Sequence, residues 1–125
     1  MIEAKHLLIV DDEETIRFSL SQAFITAKED YSVAVASSGE EALSKINSEK
    51  FDLIITDIMM PGMNGFELIE KIRERKLKTP IIVITAYGDE EKEKRSYSLG
   101  VVEYIEKPFD IKEIREKVFK ILNND

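Results

Sequence analysis

Leu53-Ile54-Ile55, followed by Thr56-Asp57, and Ile81-Ile82-Val83-Ile84, followed by Thr85, are apolar at every position until a polar residue stops them. A strand with one face in water alternates apolar and polar residues. An unbroken apolar run is instead the mark of a strand covered on both faces, as in a parallel sheet between two layers of helices. Three further β-branched, apolar runs lie outward from this pair: His6 to Val10, Tyr31 to Ala36 and Val101 to Ile105. Each reads as a strand.

The intervening segments change period. Ile16, Leu20, Ala23, Phe24 and Ala27 share helical spacing, as do Ala42 with Ile46, Phe66 with Ile69 and Ile72, and Ile111, Ile114, Val118 and Ile121. The expectation is an α/β protein in which a β-α unit repeats five times, giving a doubly wound five-stranded parallel sheet with right-handed crossovers. Ser38 with Glu41 and Asp110 with Glu113 are spaced as capping boxes, and Gly100 marks a helix end. Asp89 to Ser96 departs from the pattern. It has almost no apolar anchor, although Glu90/Lys94 and Glu91/Arg95 are spaced as helical ion pairs. A helix held by few buried contacts is a low-stability element that can move.

Composition bounds the function. The 125 residues are expected to form one domain, 1–125, large enough to bury a core without disulfides. No apolar run approaches the roughly 18 residues that span a bilayer. The start, Met1 to His6, is polar and lacks a signal-peptide pattern, so the expected location is cytoplasmic, with no membrane partner. With no cysteine, thiolate zinc sites and cysteine nucleophiles are excluded. The net charge of -7 argues against a nucleic-acid backbone as partner and favours a cation or a protein.

Ligands of open α/β sheets bind outside the carboxyl ends of the strands. There the sequence places Asp11-Asp12 after strand 1, Asp57 after strand 3, Thr85 at the end of strand 4 and Lys107-Pro108 after strand 5. With the strand order 2-1-3-4-5 these groups converge. Two unit charges about 5 Å apart repel by about 3 kcal/mol at an effective dielectric of about 20. Three such carboxylate pairs are too costly for a domain of roughly 5–15 kcal/mol total stability. Protonation, Lys107 or a divalent cation must offset them, and all-oxygen ligands favour Mg²⁺ or Mn²⁺. Asp57 can then act as a nucleophile toward a phosphoryl group, with Lys107 neutralising its oxygens and the Thr85 hydroxyl donating to one of them.

Leu8-Ile9-Val10-Asp11-Asp12-Glu13, the stretch Asp52 to Gly65 (DLIITDIMMPGMNG), Ile84-Thr85-Ala86 and Lys107-Pro108-Phe109 follow one another at a characteristic spacing. With these four motifs the whole chain resembles the receiver domains of two-component response regulators, including chemotaxis receivers. The resemblance implies a flavodoxin-like (βα)5 fold, Asp57 as the phosphoacceptor, direct binding of Mg²⁺ by Asp12 and Asp57, and action of Asp11 through water. It also implies the Met59 backbone carbonyl as a metal ligand, a cis bond between Lys107 and Pro108, and Thr85 with Tyr104 as a switch pair. The implied donor is a sensor histidine kinase or a phosphotransfer protein, and the implied output is a protein or domain engaged through strand 4, helix 4 and strand 5. The implied activity is that of a phosphoacceptor that catalyses its own phosphorylation and slow dephosphorylation, not that of a turnover enzyme. Met59 and Tyr87, two residues past Asp57 and Thr85, are expected to shield an acyl phosphate from water.

Three rivals share the fold class. A small phosphatase of the haloacid-dehalogenase kind would need its two acidic groups at Asp11 and Glu13. A flavodoxin-like cofactor binder would need a phosphate loop where Asp11-Asp12-Glu13-Glu14 repels phosphate. A docking module would use the carboxylates only structurally.

Overall fold

Five parallel strands and five helices alternate in the computed structural model, which describes residues 4–123. They are β1 (Lys5–Val10), α1 (Glu14–Ile25), β2 (Tyr31–Ala36), α2 (Gly39–Ser48), β3 (Leu53–Thr56), α3 (Gly65–Glu74), β4 (Ile81–Thr85), α4 (Glu90–Ser98), β5 (Glu103–Glu106) and α5 (Ile111–Asn123). The sheet order is β2-β1-β3-β4-β5, as expected.

The unbroken apolar strands are explained by the two clusters they feed. Leu8, Val10, Ile54, Ile81 and Val83 face one side with Ala42, Ile46, Phe66, Ile69 and Ile72 of α2 and α3. Leu7, Ile9, Leu53, Ile55, Ile82 and Ile84 face the other with Leu20, Phe24, Ile114 and Val118 of α1 and α5. Successive strand residues thus enter opposite cores, each burial stabilising the fold by about 1.5–3 kcal/mol.

Helix ends follow local chemistry, with some departures from expectation. The Ser38 hydroxyl accepts from the Glu41 N–H at 3.1 Å, but the Glu41 carboxylate turns to Ser37. Asp110 accepts from the Lys112 N–H at 2.9 Å and caps one residue earlier than its Glu113 spacing suggests. The reciprocal capping box forms at Asn64 and Glu67. Strand β5 begins two residues later than expected, at Glu103. The cause is the end of α4: Gly100 adopts φ 83, its N–H bonds the Tyr97 carbonyl, and the Val101 N–H bonds that of Ser96. This is a Schellman motif, which takes Val101 into the helix terminus and buries its side chain there.

Helix α4 buries only Ser96. Of its two expected ion pairs, Glu90 and Lys94 meet at 3.3 Å. Arg95 does not pair with Glu91: it lies over the Phe66 ring, 4.3 Å from the centroid, and reaches Glu70 at 3.9 Å. Cation–π contact with an aromatic on α3 outweighs an exposed pair along the helix. At the other end of α4, the Arg73 guanidinium donates to the carbonyls of Leu77, Thr79, Leu99 and Gly100 at 2.9–3.1 Å.

Candidate functional site

Backbone hydrogen bonds extend the parallel ladder one residue past three strands, and this fixes the site. Asp11 N–H bonds the Ala36 carbonyl at 3.1 Å, Asp57 N–H bonds that of Val10 at 3.0 Å, and Lys107 N–H bonds that of Thr85 at 2.8 Å. Asp11 and Asp57 therefore stand side by side on adjacent strand ends. Helix α3 starts close under the second of them. A Cβ on Gly65 would lie 2.2 Å from the Asp57 carbonyl oxygen, so only glycine allows that approach.

Asp11, Asp12 and Asp57 each bring a carboxylate oxygen within 4.8 Å of the others. Asp11 and Asp57 are almost fully buried, at 2% and 4% exposure, while Asp12 faces solvent. Lys107 Nζ donates to Asp11 Oδ2 at 3.0 Å and to Asp57 Oδ2 at 2.9 Å, and lies 3.5 Å from Glu13 Oε1. The bond joining Lys107 to Pro108 is cis. The second oxygen of each buried carboxylate is held by main chain, Asp11 Oδ1 by the Glu13 N–H at 2.9 Å and Asp57 Oδ1 by the Met59 N–H at 3.0 Å.

Electrostatically the cluster is short of positive charge. Burial raises the Asp11 carboxyl above the usual range, and the Glu13 N–H and Lys107 offset only part of that. Burial pulls the Lys107 ammonium down, but hydrogen bonds to Asp57 and Asp11 and their charge outweigh it and hold it above its ordinary value. One lysine cannot balance three carboxylates. The oxygen-only donor set, the exposed Asp12 and the surplus negative charge fit a hard divalent cation, so the three aspartates form a cluster that can bind a metal.

Thr85 is fully buried at the end of β4, and its hydroxyl accepts from the Tyr87 N–H at 3.4 Å. Val83 pairs with Tyr104 and Thr85 with Glu106, and Val83 and Tyr104 both pack on the α2–α3 side of the sheet. Strand alternation therefore puts Thr85 and Tyr104 on one face. The acidic cluster thus gathers Asp11, Asp12, Asp57 and Lys107, whereas Tyr104 packs on the apolar cluster of the α2–α3 side. Met59 and Tyr87 are 48% and 73% exposed.

Three contributors escaped the sequence reading. They are the Met59 N–H, the Glu13 carboxylate, and Arg17, whose Nη1 donates to the Asp11 carbonyl at 2.6 Å. Only Glu13 had a signal, its adjacency to the Asp pair. The only histidine, His6, is the second residue of β1, at the opposite end of the strand from Asp11, with Nδ1 3.0 Å from the Lys50 carbonyl and its ring against Phe51.

Comparison with known proteins gives a consistent picture. The family model described as "Response regulator receiver domain" matches residues 7–119. The chain is 40% identical over 118 residues to the alkaline phosphatase synthesis transcriptional regulatory protein PhoP of Bacillus subtilis, covering 94% of this chain and 48% of that one. It is 38% identical over 116 residues to sporulation initiation phosphotransferase F of the same organism, covering 93% and 92%. The chain thus spans about half the length of the first relative and nearly all of the second. A crystal structure of a CheY-like receiver domain protein from Methanospirillum hungatei superimposes with a TM-score of 0.91 at 34% identity, covering 97% of this chain and 95% of that one.

Proposed function

The chain belongs to the response regulator receiver domain family of two-component systems, and from that premise we propose that residues 1–125 act as one phosphoaccepting switch with Asp57 as the acceptor. The observation that carries this is the Lys107 ammonium between Asp11 and Asp57, at 3.0 and 2.9 Å.

Asp57 is held by main chain on one oxygen and by Lys107 on the other, which orients a carboxylate for in-line attack on phosphorus. As the Asp57 O–P bond forms, the P–N bond to a donor phosphohistidine breaks. The developing negative charge is met by Lys107, which need only move off Asp57 to follow the equatorial oxygens. Asp12 and Asp57 would hold Mg²⁺, or Mn²⁺, directly, with Asp11 acting through water and the Met59 carbonyl as a further oxygen. When bound, the cation neutralises charge on the transferring group. The Thr85 hydroxyl, released from the Tyr87 N–H, donates to the phosphoryl group, and Tyr104 reports that movement on the same face.

The donor is a sensor histidine kinase or a phosphotransfer protein. The output is read from β4, α4 and β5, where α4 has the least buried apolar surface. Slow loss of the phosphoryl group resets the switch. Among the described residues no helix is long and apolar enough to cross a membrane.

Intact-mass spectrometry after incubation with acetyl phosphate tests this reading. A Mg²⁺-dependent gain of one phosphoryl group, absent in Asp57→Asn, is expected. No adduct with or without Mg²⁺ would favour a docking module, and steady turnover of a small phosphomonoester would favour the phosphatase.

A further inference from the structure

Tyr104 is seated end-on against the turn that joins β4 to α4. Its ring packs on the apolar cluster that contains Val83 and Val101, and its hydroxyl is buried without a hydrogen bond to any described residue. Gly88 makes the room. A Cβ there would lie 2.3 Å from the Tyr104 hydroxyl oxygen, 3.1 Å from Cζ and 3.2 Å from Glu106 Cδ. The backbone at Gly88 is not left-handed, so the glycine is required by space and not by its φ.

We propose that Gly88 is the seat that holds Tyr104 inward before any phosphoryl transfer, so that the aromatic half of the switch is already turned in. This rests on the receiver reading only in calling Tyr104 part of a switch. The seat is poised between two terms. Ring burial favours the inward rotamer, while a desolvated hydroxyl without a partner opposes it. Burial raises the phenol's pKa, and the Asp89 N–H offsets part of that rise. A side chain at position 88 removes the seat and leaves the backbone in place, because the atom it meets is the far end of a rotatable side chain; the cost is the ring burial that Tyr104 gives up. A phosphoryl group shifts Tyr104 only by its differential interaction with the two rotamers. In a chain that starts inward, that shift is small.

Fluorine NMR of protein labelled with 3-fluorotyrosine tests the proposal without any phosphoryl donor. The chain has four tyrosines, Tyr31, Tyr87, Tyr97 and Tyr104, and Tyr104→Phe assigns the last. In wild type the Tyr104 resonance is expected to be far less sensitive to exchange of H₂O for D₂O than that of exposed Tyr87. In Gly88→Ala it should approach the Tyr87 sensitivity. A wild-type resonance as solvent-sensitive as Tyr87, or one unmoved by Gly88→Ala, would overturn the seat. A second measurement guards against a folding artefact: Gly88→Ala should lower Tm less in the Tyr104→Phe background than in wild type, and equal losses would also overturn it. If acetyl phosphate fails to modify Asp57, the receiver reading fails while the seat stands or falls on the NMR alone.

Discussion

Helices α3 and α4 are nearly equal in length, 10 and 9 residues, follow adjacent strands, and lie on the same side of the sheet, yet they are attached differently. Helix α3 drives Phe66, Leu68, Ile69 and Ile72 into the core, while α4 buries only Ser96, whose hydroxyl donates back to the Lys92 carbonyl at 2.9 Å. Polar attachments hold α4 instead: the Asp89 cap at one end, Arg73 on the Leu99 and Gly100 carbonyls at the other, and Arg95 over Phe66 between them. Apolar burial resists displacement in every direction, whereas hydrogen bonds at helix ends can be exchanged for water. A change at the nearby strand ends is therefore expected in α4 before α3.

Changes in the two helices should separate by size. Ile72→Ala, in the fully buried α3 stripe, is expected to cost about 2–5 kcal/mol in denaturant unfolding. A cost below that of ordinary surface changes would erase the contrast. Arg73→Ala should cost about 1–3 kcal/mol, since four carbonyls lose a donor. Its signature is faster amide exchange at the end of α4, with the α3 core unchanged.

Smaller effects fall within α4 itself. The Asp89 carboxyl is held below its ordinary value by the Lys92 side chain and then by the Lys92 N–H. Its contribution is thus present above the unfolded Asp value of about 3.8 and is lost as pH falls through the lower folded value. Amide protection in the first turn of α4 should drop on acidification in wild type and lose that dependence in Asp89→Asn. Lys94→Ala, which removes an exposed pair, should change stability by less than about 0.5 kcal/mol in the same unfolding assay.

Much of this was legible in the sequence. The two unbroken apolar runs gave the covered parallel sheet, and strand-end carboxylates with Lys107 gave the cluster, because both follow from residue type and period alone. Less visible features depend on backbone paths that close over many residues. Val101 reads as strand by composition, but the Schellman end of α4 claims it. Glu91 and Arg95 have ion-pair spacing, but an aromatic on a neighbouring helix takes the arginine. The Met59 N–H at Asp57 carries no side-chain signal, and Gly88 looks like an ordinary turn residue until Tyr104 is placed against it.

Peptide-resolved amide exchange, with and without acetyl phosphate and Mg²⁺, on wild type and Asp57→Asn, tests whether phosphoryl transfer at Asp57 reaches α4 ahead of α3. Exchange is expected to change in α4 and β5 of wild type, to stay constant in α3, and to change nowhere in the variant. A phosphoryl adduct on Asp57 with α4 unaltered, or with α3 altered as much as α4, would contradict it.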